Sequence, residues 1–169
     1  GFLGLGIMGT PMSRNLLRAG FDLTVFDVDA AKVSALVSEG ANAAADPAAM
    51  ARQVDVLIAC LPNADIVDQV VSGDEGILDG CQAGQVFIDM TTNYPEASIA
   101  TSEKLAGKGV QMLDAPVSGG NAGAEQGTLS IMCGGPLDAY ERCLPVFEAM
   151  GKRITLMGEQ VGAGGYAKL

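Results

Sequence analysis

A glycine spacing near the start of the chain constrains its fold more than any other feature. Gly4-Leu5-Gly6-Ile7-Met8-Gly9 follows the apolar run 1–5 and opens a stretch in which Met8, Met12, Leu16 and Ala19 recur at three- and four-residue intervals, until Gly20 stops it. A strand must therefore turn straight into a helix. The same alternation continues to the other end of the chain. Apolar runs at 23–26, 54–60, 85–90, 110–115, 128–133 and 153–157 read as strands; helical periodicity marks a segment with Val33, Leu36 and Val37 that stops at Gly40, then 65–71, 95–106 and 137–150. The expectation is a doubly wound α/β fold, a mainly parallel sheet with helices on both faces.

The six-residue glycine motif has a chemistry that matches its position. Gly4 permits the tight turn, Gly6 lets a pyrophosphate approach with no Cβ in the way, and Gly9 lets helix and strand pack closely. Free N–H groups around Ile7 and Met8, aided by the helix dipole, then hold an anion without any basic side chain. This matters because the chain has 10 Lys+Arg against 20 Asp+Glu, a net charge of −10. Nucleic acid, which needs clustered cations, is excluded as a partner; a single pyrophosphate is not. Asp27 closes the next strand, where a carboxylate accepts hydrogen bonds from an adenosine ribose and repels a 2′-phosphate. The next residue is Val28, so no adjacent arginine offers a phosphate clamp. NAD is favoured over NADP. Two alternatives stay open, that Asp27 caps the following helix and that a flavin occupies the same motif.

The residue inventory removes many other chemistries. There are no histidines, so His-based acids and bases, Ser-His-Asp triads and most zinc sites are absent. Cys60, Cys81, Cys133 and Cys143 show no paired spacing and read as small apolar residues of a reducing, cytoplasmic compartment, with no metal site. No apolar run reaches the ~18 residues of a membrane span, and no signal peptide is visible, so no membrane partner is expected. No linker or repeat divides the chain. The expected organisation is one dinucleotide-binding domain, 1–161, followed at 162–169 by the start of a helix that continues into a further unit; a few residues upstream of Gly1 are expected to be missing.

Three more segments fall after strands, where ligands of open parallel sheets sit. Leu61-Pro62-Asn63 and Thr91-Thr92-Asn93, with Thr92 and Asn93 as the cofactor candidates, face the crevice on that argument, although ordinary turn and helix-start chemistry explains them equally well. Asp114-Ala115-Pro116-Val117-Ser118-Gly119-Gly120 sets a hydroxyl beside exposed main-chain donors, a nest for a small carboxylate or simply a glycine-rich turn, with Asp114 organising the loop. Tyr94, Tyr140 and Tyr166 all lack a lysine four positions on, so no tyrosine–lysine couple exists. Among the lysines, Lys168 alone follows a glycine-rich turn near the crevice, where it is either a surface residue or a partly desolvated proton carrier.

Taken together these motifs resemble those of the β-hydroxyacid dehydrogenases, the group of 3-hydroxyisobutyrate dehydrogenase and tartronate semialdehyde reductase. The resemblance extends over essentially the whole chain: Gly4 to Met12, Asp114 to Gly120 with Gly127-Thr128-Leu129, and Gly162-Ala163-Gly164 leading to Lys168. It implies a Rossmann-type domain that binds NAD and an enzyme that moves a hydride between NAD and a small 3-hydroxy acid or semialdehyde. In that family Ser118, Gly119 and Gly120 would bind substrate, Thr92 or Asn93 would touch the cofactor, and Lys168 would be the catalytic acid/base. It also implies a helical C-terminal domain beyond Leu169 that closes the site and forms a homodimer. A non-catalytic dinucleotide-binding scaffold of the same family is the alternative.

Overall fold

A computed structural model describes residues 1–169. The elements run β1 (Phe2–Leu3), α1 (Gly9–Arg18), β2 (Thr24–Phe26), α2 (Ala30–Ser38), β3 (Asn42–Ala43), α3 (Pro47–Ala51), β4 (Val56–Ala59) and α4 (Ala64–Ser72). After a 3-10 turn come β5 (Val86–Asp89), α5 (Pro95–Ala106), β6 (Gln111–Asp114), β7 (Val117–Ser118), α6 (Gly120–Gln126), β8 (Leu129–Gly134), α7 (Leu137–Met150), β9 (Gly151–Gly158) and α8 (Ala163–Lys168). The sheet order is β3-β2-β1-β4-β5-β6-β8-β7, with β9 on the free side of β8. The six strands from β3 to β6 are parallel, β8 runs antiparallel to β6 and β7, and β9 is parallel to β8. No helix is long and apolar enough to cross a membrane.

Strand periodicity sends successive residues to opposite faces, and both faces are dry. Phe2, Ile58, Val86 and Ile88 pack with Met12 and Leu16 of α1, Leu36 of α2, and Phe147 and Met150 of α7. Leu3, Leu57 and Phe87 pack on the other side with Met50 of α3, Val67 and Val71 of α4, and Leu105 of α5. Thus the chain leaves β1 toward one face and the neighbouring β4 toward the other. A cleft opens between them at the carboxyl ends of the strands, the switch point of this strand order.

Several elements differ from the sequence expectation. The first strand is confined to Phe2–Leu3, because Gly4 already has a positive φ of 94°. β3 was not expected: Asn42 and Ala43 are both exposed and carry no periodic signal, and the strand exists through the Asn42 N–H bond to the Leu23 carbonyl. α3 and the turn after Ser118 also exceed expectation. Gly120–Gln126 is a helix despite two glycines, held by the Asn15 side chain, which donates to the Ala124 carbonyl at 2.6 Å. Tertiary contact overrides weak local propensity there.

Candidate functional site

The glycine turn leaves main-chain donors facing open space. A Cβ on Gly4 would lie 2.3 Å from the Cys60 carbonyl and one on Gly9 only 1.9 Å from the Gly4 carbonyl, so both positions need glycine for the fold itself. Gly6 is different. A Cβ there would meet nothing within 4 Å, so the fold itself does not call for glycine and the bare main chain is open to a ligand. Asp29, Asp46 and Asn63 cap α2, α3 and α4 with their side chains, whereas α1 has no side-chain cap. The N–H groups of Gly6, Ile7 and Met8 donate to no backbone carbonyl, and Ile7 is 77% exposed. These residues fit a pyrophosphate-bearing cofactor.

Asp27 joins this turn to β2. Its Oδ2 accepts the Leu5 N–H at 2.7 Å and its Oδ1 accepts the Asp29 N–H at 2.8 Å. Asp27 does not cap α2; the cap is Asp29, whose side chain accepts from the Ala31 N–H at 3.0 Å. Beside it runs a cavity of about 750 Å³, whose wall includes Gly4, Gly6, Ile7, Met8, Gly9 and Asp27 on one side and Leu61 and Pro62 on the other. That volume suits a cofactor.

A second cavity of about 410 Å³ adjoins the first, sharing Met8, Cys60, Leu61 and Pro62 with it. Thr92, Ser118, Gly119, Gly120 and Lys168 all line it, although they come from three distant parts of the chain. Gly119 and Gly120 have φ of 133° and 60°, a backbone that other residues rarely adopt. Lys168, half-buried, donates to the Val117 carbonyl immediately before Ser118. Asp114 sets the helix that carries this lysine, its Oδ1 accepting from Gly162 at 2.7 Å and its Oδ2 from Gly165 at 2.8 Å. Burial pushes its carboxyl above the usual range, and those N–H donors pull against the shift.

Two of the sequence candidates stand outside both cavities. Asn63 turns its side chain to the Ile66 N–H at 3.0 Å, and Asn93 donates to Asp89 at 3.3 Å. Thr91, which opens the Thr91-Thr92-Asn93 segment, lines the second cavity, and its hydroxyl accepts the Leu61 N–H at 3.0 Å. Its place just after a buried strand is the signal that points to the crevice. Cys60 sits on the shared wall with its thiol pushed up to about 11 by burial, then by the Asp89 charge, so it remains protonated and inert.

An acidic chain that offers bare amides beside a deep cleft, at the switch point of this strand order, is built as a dinucleotide-binding α/β domain. The chain belongs to the family of the NAD-binding domain of 6-phosphogluconate dehydrogenase, whose family model matches residues 1–158, and its homologues are β-hydroxyacid dehydrogenases of the 3-hydroxyisobutyrate dehydrogenase type. It is 42% identical over 169 residues to 2-(hydroxymethyl)glutarate dehydrogenase of Eubacterium barkeri, covering 100% of this chain and 56% of that protein. The 3-hydroxyisobutyrate dehydrogenase of Pseudomonas aeruginosa is 42% identical over 168 residues, again with 99% and 56% covered. The solved structure of Mycobacterium tuberculosis 3-hydroxyisobutyrate dehydrogenase with L-serine superposes with a TM-score of 0.92 at 35% identity, covering 99% of this chain and 56% of that one. The chain therefore spans about half the length of these relatives.

Proposed function

We propose that this chain is the cofactor-binding half of an NAD-dependent dehydrogenase acting on a small 3-hydroxy acid or the matching semialdehyde. One observation carries the reading: Lys168 and the Ser118-Gly119-Gly120 segment meet in a single cavity that shares a wall with the cofactor cleft. The homologues named above support the reaction class. Asp27 supports NAD over NADP, since a carboxylate at the end of β2 accepts ribose hydroxyls and repels a 2′-phosphate.

Gly6, Ile7 and Met8 would hold the pyrophosphate through their N–H groups, and Leu61 and Pro62 would flank the nucleotide. When bound, the nicotinamide supplies the hydride acceptor or donor. The chain's own residues do the rest. Ser118 and the main-chain donors of Gly119 and Gly120 orient the substrate carboxylate, which lowers the entropic part of the barrier. Lys168 is aimed into the same cavity by its bond to the Val117 carbonyl, where its amine takes the substrate hydroxyl proton during oxidation and returns it during reduction.

The test is Lys168→Ala in the full-length enzyme, with NADH formation followed across a panel of 3-hydroxy acids. The variant should lose about 10² to 10⁴ in kcat while NADH affinity is retained. Wild-type turnover by the variant would remove the lysine from the chemistry. Silence of the parent enzyme across the panel, with NADH binding intact, would favour a non-catalytic scaffold.

A further inference from the structure

Asp89 ends β5 beneath the wall that the two cavities share, and it lines neither of them. Only 1% of it is exposed. A buried carboxylate must find donors, and those of Asp89 all come from the loop after its own strand. Its Oδ1 accepts the Thr91 N–H at 3.0 Å and its Oδ2 accepts the Asn93 amide at 3.3 Å. The Thr91 hydroxyl accepts the Leu61 N–H, just after β4, at 3.0 Å. Asp89 thus fixes the Thr91 main chain, and the Thr91 hydroxyl fixes Leu61.

We propose that Asp89 is a positioning residue for the cofactor: through Thr91 it holds the turn at Leu61 and Pro62 in place as the wall between nucleotide and substrate. The inference rests on the cofactor reading above. It accounts for a carboxylate where one is costly. Asp114 is the register partner of Asp89 on the adjacent strand, and Cys60, just after β4, feels its charge. Thr91 and Asn93 face it from its own loop, and no lysine or arginine compensates its charge. A neutral amide would avoid the penalty of burial but offers one acceptor oxygen in place of two. Ionised, Asp89 organises both ends of the loop.

The experiment is a fluorescence titration of this chain with NADH, in the parent, Asp89→Asn and Thr91→Val, from about pH 5 to about pH 8. Both variants should bind about tenfold more weakly at neutral pH, the loss expected for a hydrogen bond to a charged group. Parent affinity should fall as pH drops through about 6, where burial places the Asp89 carboxyl, and both variants should be flat over that range. Thr91→Val leaves the carboxylate and the side-chain volume in place, so it tests the relay even where Asp89→Asn fails to fold. Parent-like affinity with a parent-like pH dependence in both variants overturns the role of Asp89 and leaves the cofactor site standing. A parent that does not bind NADH at any pH overturns both.

Discussion

Asp114 accepts the Gly165 N–H at 2.8 Å across 51 positions of sequence, and its second oxygen takes Gly162. The carboxylate thereby closes the first turn of α8, whose other end carries Lys168. Gly164 lies so near that a Cβ there would sit 2.3 Å from the Met132 carbonyl. Removing the carboxylate leaves buried donors without partners. Asp114→Ala should cost about 3 kcal/mol in urea unfolding and speed proteolysis of segment 162–169. A cost below about 0.5 kcal/mol would mean that packing alone holds α8.

Gly6 and Gly9 separate binding from folding. Gly6→Ala puts its methyl into open space, so the melting temperature should stay put while NADH binding weakens by at least about tenfold through collision with the pyrophosphate. Gly9→Ala pushes a methyl to 1.9 Å from the Gly4 carbonyl and should disrupt the fold itself. Unchanged NADH affinity in folded Gly6→Ala, read by fluorescence, would contradict the assignment of the turn.

At Asp27 the substitution to Asn can keep the bond to the Leu5 N–H while deleting the charge. The preference for NADH over NADPH should narrow by about tenfold, measured as the ratio of the two dissociation constants. An unaltered ratio would mean that another group reads the ribose.

Asp89 also links stability to pH. Burial raises its folded pKa to about 6 from 3.8, with the Thr91 and Asn93 bonds opposing and the Asp114 charge assisting. The folded chain therefore binds the proton more tightly than the unfolded one. Its stabilising contribution is complete below about pH 4 and is lost as pH rises through about 6, an effect of about 3 kcal/mol. Urea unfolding of the parent and Asp89→Asn should diverge by that amount across this window, the parent losing ground as pH rises. Parallel curves would show that the carboxyl titrates normally.

Much of the fold was legible because its signals are local. Phe2 and Leu3, or Phe87 and Ile88, alternate faces within a few residues, and Met12 and Leu16 mark one side of α1. The glycine motif declared its turn for the same reason. β3 and α6 were not legible, since exposed Asn42–Ala43 and glycine-rich Gly120–Gln126 owe their form to Leu23 and Asn15, residues far from them in sequence. Asn63 illustrates the opposite case. Its position after a strand pointed to the crevice, but its side chain satisfies the Ile66 N–H at the start of its own helix.

By itself the sequence determined a layered α/β sheet and a turn of bare amides, because hydrophobic period and glycine sterics act over a few neighbouring residues. Only the tertiary structure decided that Lys168 meets Ser118 in one cavity and that Asp89 and Asp114 lie side by side beneath it. Those meetings depend on the order in which strands pair, and that order is settled by burying two apolar faces at once across the whole chain.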